Sequence, residues 1–266
     1  MSTMYVEQIG VTGPGLAGWE ASAPVLRGDA PYAHQALGKL SAELLPANER
    51  RRTTNTIRMA LCAAQDAIAS SNTPAEELAT VFASSDGDLE IVDRICTALD
   101  TVERPVSPFH FHNSVHNAPA GYWAIATQSR RPSTSLSVYD ATFAAGLLEA
   151  MTMVRAEQCP VLLVAYDFPP PPPLHTARLI GEPFAVALLL HHEATPASTT
   201  RLDIAMADDQ GNEDRMQDTT LENLRTVNPA ARALPLIMAI AREEAATVRL
   251  PYLPGSLLHI ECTPCR

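Results

Sequence analysis

Basic residues are scarce in this sequence. Lysine and arginine together number 19 against 30 aspartates and glutamates, which leaves a net charge of −11. A surface that neutralises phosphates needs the opposite sign, so nucleic acid is excluded as an expected partner. The longest basic cluster, Arg50, Arg51 and Arg52, reads as the solvated start of a helix. Long apolar runs are missing too: none reaches the roughly 18 residues that a membrane span needs. The N-terminus shows no positive region followed by an apolar run, so no signal peptide is expected. Cysteines number only five, and the first three (Cys62, Cys96, Cys159) sit inside apolar segments. An odd count in such places argues against a disulfide framework and for a reducing, cytoplasmic setting. Aromatics reach only 5% and charged residues 18%, too little charge for a disordered chain.

What is present suits a packed α/β domain. Hydrophobic residues make up 46% of 266 residues, with alanine prominent, enough for a sizeable core of helices lying close on a sheet. Strands are expected over 4–12, 78–83, 134–139, 160–166, 184–192, 201–206 and 256–262. The run 160–166 (PVLLVAY) is apolar throughout, as in strands covered on both faces. Helices are expected over 49–71, 88–99, 114–128, 141–156 and 228–248 from three- and four-residue apolar spacing. The segment 105–112 reads as irregular and the acidic stretch 207–220 as a mobile loop. No repeat or domain boundary shows, so 1–266 is read as one domain.

Five segments invite chemistry or binding: a glycine motif, a histidine cluster, a cysteine pair, a proline run and a strand-to-helix turn. Gly13-Pro14-Gly15-Leu16-Ala17-Gly18 matches G-x-G-x-x-G, but Pro14 lies in the loop and the proline-bearing 21–31 does not read as the helix that must face a pyrophosphate. A turn accounts for it better, and no cofactor is expected. His110, His112 and His116 fall within seven residues, yet Phe109 and Phe111 interleave them and no further ligand is close in sequence. A pocket or interface segment is the better account, and no metal is expected. Cys262 and Cys265 form a lone C-x-x-C in the tail, and Pro169 to Pro173 read as a stiff surface loop. Finally, Ser137 to Gly146 takes a strand through a small-residue turn into a helix, where α/β enzymes place nucleophiles at a helix N-terminus. The residue there is Thr142, a poor nucleophile without a base. Read alone, it starts the helix.

Several segments, in order and spacing, resemble the N-terminal half of β-ketoacyl synthases. They resemble more closely the short ketosynthase-like proteins of aryl polyene pathways. The opening strand and glycine turn (IGVTGPG) looks like the family's first strand. Asn48-Glu49-Arg50-Arg51-Arg52 resembles its Arg-Arg approach to the first long helix. The stretch from His112 to Trp123 resembles the helix before the nucleophile strand, and Arg131-Pro132-Ser133-Thr134-Ser135 the start of that strand.

The resemblance implies a thiolase-like layered α/β fold: the N-terminal half of a ketosynthase, truncated, with a mostly parallel five-stranded sheet flanked by helices. It puts Thr142 at the family's nucleophilic cysteine. A thiolate can be poised by a helix dipole; a threonine alkoxide cannot. The family's His-Gly-Thr-Gly-Thr motif has no counterpart here, so self-sufficient condensation is not expected. The resemblance implies instead a chain-length-factor-like subunit, paired as a heterodimer with a full-length β-ketoacyl synthase that an acyl carrier protein serves. Phe109, Phe111, His112, Val115 and Trp123 become candidates for the partner's acyl tunnel. Thr134, Leu136 and Phe143 become candidates for the interface around the nucleophile strand. Two other readings stay open: an acyltransferase or hydrolase with an unusual nucleophile, and a stand-alone acyl-chain-binding protein.

Overall fold

Strand β1 (Ser2–Gly13) reverses at Pro14-Gly15 into the short β2 (Leu16–Ala17), with Gly13 opposite Leu16. Proline supplies the φ that the first turn position needs, and Gly15 takes a positive φ of 68°. A side chain at Gly15 would also meet the Ala33 carbonyl. The glycine motif is therefore a hairpin turn. The computed structural model describes residues 2–207 and 211–265.

Helices α1 (Trp19–Arg27), α2 (Ala47–Arg50) and α3 (Asn55–Ile68) follow. The single helix expected over 49–71 is broken at Thr53-Thr54, because the Thr54 hydroxyl caps α3 by accepting from Ile57 N at 3.2 Å. Next come β3 (Ala79–Ala83), α4 (Leu89–Leu99), α5 (Pro108–Asn113), α6 (Ala118–Thr127), β4 (Ser133–Leu136) and α7 (Thr142–Glu157). The irregular segment expected at 105–112 thus contains a short helix, started by Pro108 at its first position. The chain continues through β5 (Val161–Asp167), α8 (Leu174–Ala177), β6 (Phe184–His191) and β7 (Thr200–Ala207), then α9 (Thr219–Val227) and α10 (Leu234–Ala241). It closes with β8 (Ala246–Pro251) and β9 (Leu257–Pro264). The helix expected over 228–248 stops at Ala241, and its tail turns into β8. Residues 208–210 of the expected acidic loop lie outside the described residues. Of the rest, Asp214 accepts from Arg249 N, Glu213 pairs with Arg225, and Asp218 caps α9.

The sheet runs β4-β3-β5-β6-β1-β7-β9-β8, with β2 paired to β1. The expectation of five strands is corrected to nine. The five expected from the resemblance are the β4-β3-β5-β6-β1 portion. Within it β4, β3, β5 and β1 point one way and β6 the other, since β6 is antiparallel to both β5 and β1. Beyond β1 the strands β7, β9 and β8 are antiparallel neighbours in turn. Counting all pairs, the sheet is mixed rather than mostly parallel. The added strands need only short reversals, whereas parallel neighbours need a helical crossover.

Both faces are covered across the centre. On one face, alternate residues of β3, β5 and β6 pack against α7 and the turn Ala230–Ala233: Val81, Leu163 and Leu188 share one core with Phe143, Leu147 and Ala233. On the other, Phe82, Val164 and Leu189 pack against Ile57, Leu61 and Trp123 of α3 and α6. That two-sided burial explains the unbroken apolar runs of β5 and β6. Gly10 lets α3 approach β1; a Cβ there would sit 2.0 Å from the Ala63 carbonyl oxygen. No helix among the described residues is long and apolar enough to cross a membrane.

Candidate functional site at the strand-to-helix elbow

The elbow between β4 and α7 lies at the sheet's edge. It is built from residues 137–142. The Ser137 hydroxyl donates to Ser85 O, pinning the chain to the loop after β3. Tyr139 takes a positive φ of 49°, an uncommon conformation for a side chain of that size, and one 3₁₀ turn (Tyr139–Ala141) leads into α7. Thr142 closes the turn. Its hydroxyl donates to Tyr139 O at 2.6 Å and accepts from Val138 N at 2.9 Å, and the residue is buried. Both the proton and a lone pair are thereby used by backbone. A nucleophilic hydroxyl needs a base within hydrogen-bond reach; the two bonds of Thr142 go to peptide groups.

The mouth of the elbow is filled by an ion-pair bridge. Arg178, just past α8, donates from Nε to Asp86 Oδ2 at 2.6 Å and from Nη1 to Asp140 Oδ1 at 2.7 Å. Its guanidinium lies 3.8 Å from the centre of the Tyr139 ring, a cation–π contact. Burial alone would make this arginine easier to deprotonate, but its hydrogen bonds to Asp86 and Asp140 raise its pKa overall. Asp140 also lies 3.8 Å from Arg232, which reaches Glu213 at 3.5 Å; Glu213 and Glu222 both hold the buried Arg225. The chain of charges ties the elbow to the segment before α9.

Beneath it lies Asp167, buried at the end of β5. Its Oδ1 accepts from Ser84 Oγ, Ser85 N and Ser85 Oγ at 2.8–3.0 Å, while Oδ2 has no partner among the described residues. Burial is the main cause that pushes its carboxyl up to about 7, against those hydrogen bonds. Sequence reasoning missed Asp86, Asp140, Asp167 and Arg178. The polar Ser84-Ser85-Asp86-Gly87 step after an apolar strand was the one available signal. Arg178 is 92 residues from Asp86, and nothing local marks it.

The structure sorts the sequence candidates into two groups. Phe109, Phe111, His112 and Val115 are exposed; Phe111 is 72% exposed. His112 stands edge-on to Tyr122, and His116 donates from Nε2 to Leu136 O at 3.1 Å, which lays this segment beside β4. Thr134 and Leu136 are half-buried on β4, whose one strand partner among the described residues is β3. Trp123 and Phe143, by contrast, are core residues on opposite faces of the sheet. The three histidines are engaged separately, and no group of metal-binding side chains forms among the described residues.

A layered thiolase-like fold with a strand-to-helix elbow is the architecture of the condensing enzymes. The β-ketoacyl synthase N-terminal domain family matches residues 19–248, and the chain belongs to that family. Solved structures share its fold. One is the ketosynthase ApeO in complex with its chain length factor ApeC from Xenorhabdus doucetiae. It has a TM-score of 0.73 at 23% identity, covering 97% of this chain and 99% of that one. Another is the ishigamide ketosynthase/chain length factor, at TM-score 0.71 and 13% identity over 99% and 100% of the two chains. A third is a type II polyketide acyl-carrier protein in complex with its ketosynthase (AntDE:AntF), at TM-score 0.76 and 11% identity over 99% of each chain. No curated protein matches the chain.

Proposed function

We propose that this chain is a non-catalytic ketosynthase-like subunit, a chain length factor. It pairs with an active β-ketoacyl synthase and shapes its acyl tunnel in polyene or fatty-acid-like biosynthesis. One observation carries the reading: the elbow residue Thr142 is buried with its hydroxyl committed to two backbone groups, and Arg178 bridges Asp86 and Asp140 across the mouth. An elbow built this way preserves the fold while giving up acyl transfer. The partner performs the decarboxylative condensation, and a carrier protein serves the partner. On this reading the pair works in the cytoplasm.

The interface is the β4 edge with the segment before α6. Phe109, Phe111, His112 and Val115 face outward there, and Ile125 and Tyr139 are exposed close by in sequence. Apolar side chains grouped around an open strand edge favour a covering partner. Thr134 and Leu136 meet the partner's strand, and Phe109 and Phe111 reach its tunnel. Trp123 and Phe143 act from the core, holding α6 and α7 in place.

The test is co-expression with the neighbouring full-length ketosynthase, followed by mass determination in size exclusion. A one-to-one complex that condenses malonyl units, with no acyl group on this chain, is the expected outcome. In that complex Thr142→Ala is expected to cost about 1–3 kcal/mol of stability, because Val138 N loses its acceptor, and to leave turnover within about twofold. A loss of several orders of magnitude would make Thr142 the nucleophile of an acyltransferase. A stable monomer that ignores the ketosynthase would leave an acyl-chain-binding protein.

A further inference from the structure

Three polar side chains from three separate elements line one small pocket, and each has a buried oxygen without a hydrogen-bond partner among the described residues. The cavity lies between α3, the cap of α4, the α5–α6 junction and β5; Asp88, Asn113, Tyr166, Thr56 and His116 line it. Its free volume for a water-sized sphere is about 10 Å³, close to the roughly 10–15 Å³ that one water molecule requires. Asp88 uses Oδ1 to cap α4 by accepting from Ile91 N at 3.1 Å, and its Oδ2 has no hydrogen-bond partner among the described residues. Burial raises the pKa of this carboxyl, and hydrogen bonds from the Thr54 and Thr56 hydroxyls and from Ile91 N offset part of that shift.

Asn113 is 1% exposed. Its amide nitrogen donates to Arg52 O and Phe109 O, both at 3.1 Å, which fixes the orientation of the amide and leaves Oδ1 as an unmatched acceptor. Tyr166 is wholly buried, and its hydroxyl has neither donor nor acceptor opposite it. Asp88 is near enough to push the Tyr166 pKa upward, after burial and Asp167. Buried groups left unmatched in this way carry the full cost of losing water, and native structures satisfy such groups by protein or water.

We infer that this cavity is a binding site for a single internal water molecule, which accepts from Tyr166 Oη and donates to Asp88 Oδ2 and Asn113 Oδ1. The three bonds are the number a buried water typically makes, and each orphan atom receives the role it lacks. The water thereby fastens Asn113, the one buried residue of α5, to β5 and to the cap of α4. The assignment does not depend on the function proposed above.

Oxygen-17 magnetic relaxation dispersion counts long-lived internal waters, and crystallography of the same protein locates them. The expected result is a density peak within hydrogen-bond distance of all three oxygens, and one long-lived water fewer in Tyr166→Phe. The thermal midpoint of Tyr166→Phe should fall, because a satisfied hydroxyl is removed. A midpoint that holds or rises, with an unchanged water count, would mean the hydroxyl is unsatisfied and would overturn the assignment. So would an anomalous-scattering peak at the site after rubidium replaces sodium and potassium, since that marks a cation in place of water.

Discussion

Asp167 shows how burial sets the chemistry of one side chain. Its carboxyl is held up to about 7, chiefly by burial, with nearby Asp86 adding to the push. The folded state therefore binds this proton more tightly than the unfolded chain does. Between about pH 4 and pH 7 the unfolded state sheds the proton while the folded state keeps it, so this residue's contribution to stability declines as pH rises through that window. Asp167→Asn keeps an acceptor at the Oδ1 position and cannot ionise. Its urea midpoint is expected to match or trail the parent near pH 4 and to exceed it above pH 7. A constant offset across that range would mean that Asp167 is ionised throughout. Trp123 presents a different case: it is 1% exposed, in the core beneath α6. Trp123→Ala is expected to cost about 3–5 kcal/mol, as large-to-small core changes do. Calorimetry on the isolated chain would read that loss before any change in product length could be assigned to a tunnel.

Among the elements, α4 and α5 stand apart from the two cores. Of α4 only Ile91 is buried, although Val92, Ile95 and Leu99 give it an apolar side, and of α5 only Asn113. The long helices α3 and α7, by contrast, bury their apolar faces on the sheet. An amphipathic helix whose apolar side is largely open gains stability from what docks on it. Phe111→Asp is thus expected to weaken the complex by at least about tenfold, on the scale of truncating an exposed aromatic anchor. The melting temperature of the chain alone should stay the same. Titration by calorimetry measures the first and a thermal scan the second; equal affinity in parent and variant would move the interface elsewhere.

This division also explains what could be read in advance. Continuously apolar runs such as 160–166 and a periodic helix such as 142–157 announce themselves, because burial on the sheet dictates their pattern. The end of the 228–248 helix at Ala241 did not. The segment after it becomes a strand only because β9 lies beside it, with Val248 opposite Ile260, a contact no local propensity encodes. The elbow divides in the same way. Its strand, turn and helix follow from the order of residues 133–157, whereas the Asp86–Arg178–Asp140 bridge joins residues brought together by folding alone. Thr142 could be located in sequence, but the two backbone bonds that its hydroxyl makes could not.

For the whole molecule, the two ends of the sheet differ in kind. At one end β8 presents exposed Thr247 and Arg249 and finishes on Pro251, the polar and proline-bearing features that keep an edge strand from pairing. At the other end β4 carries Ser133, Thr134, Ser135 and Leu136 with no charge and no proline, beside exposed Phe111, Val115 and Tyr139. A sheet that guards one edge and leaves the other open is shaped for an added strand at the open edge. An obligate interface of that kind buries on the order of 2,000 Å² or more. Binding of that size makes stability depend on partner concentration, because the partner binds only the folded chain. Two results are then expected together. The melting temperature of the chain should climb steadily with added ketosynthase. Amide hydrogen exchange should slow across 133–136 in the complex while 246–251 exchanges at its free rate. Protection at β8 with β4 unchanged would place the partner at the guarded edge and remove the reason for reading the elbow strand as the seam between two subunits.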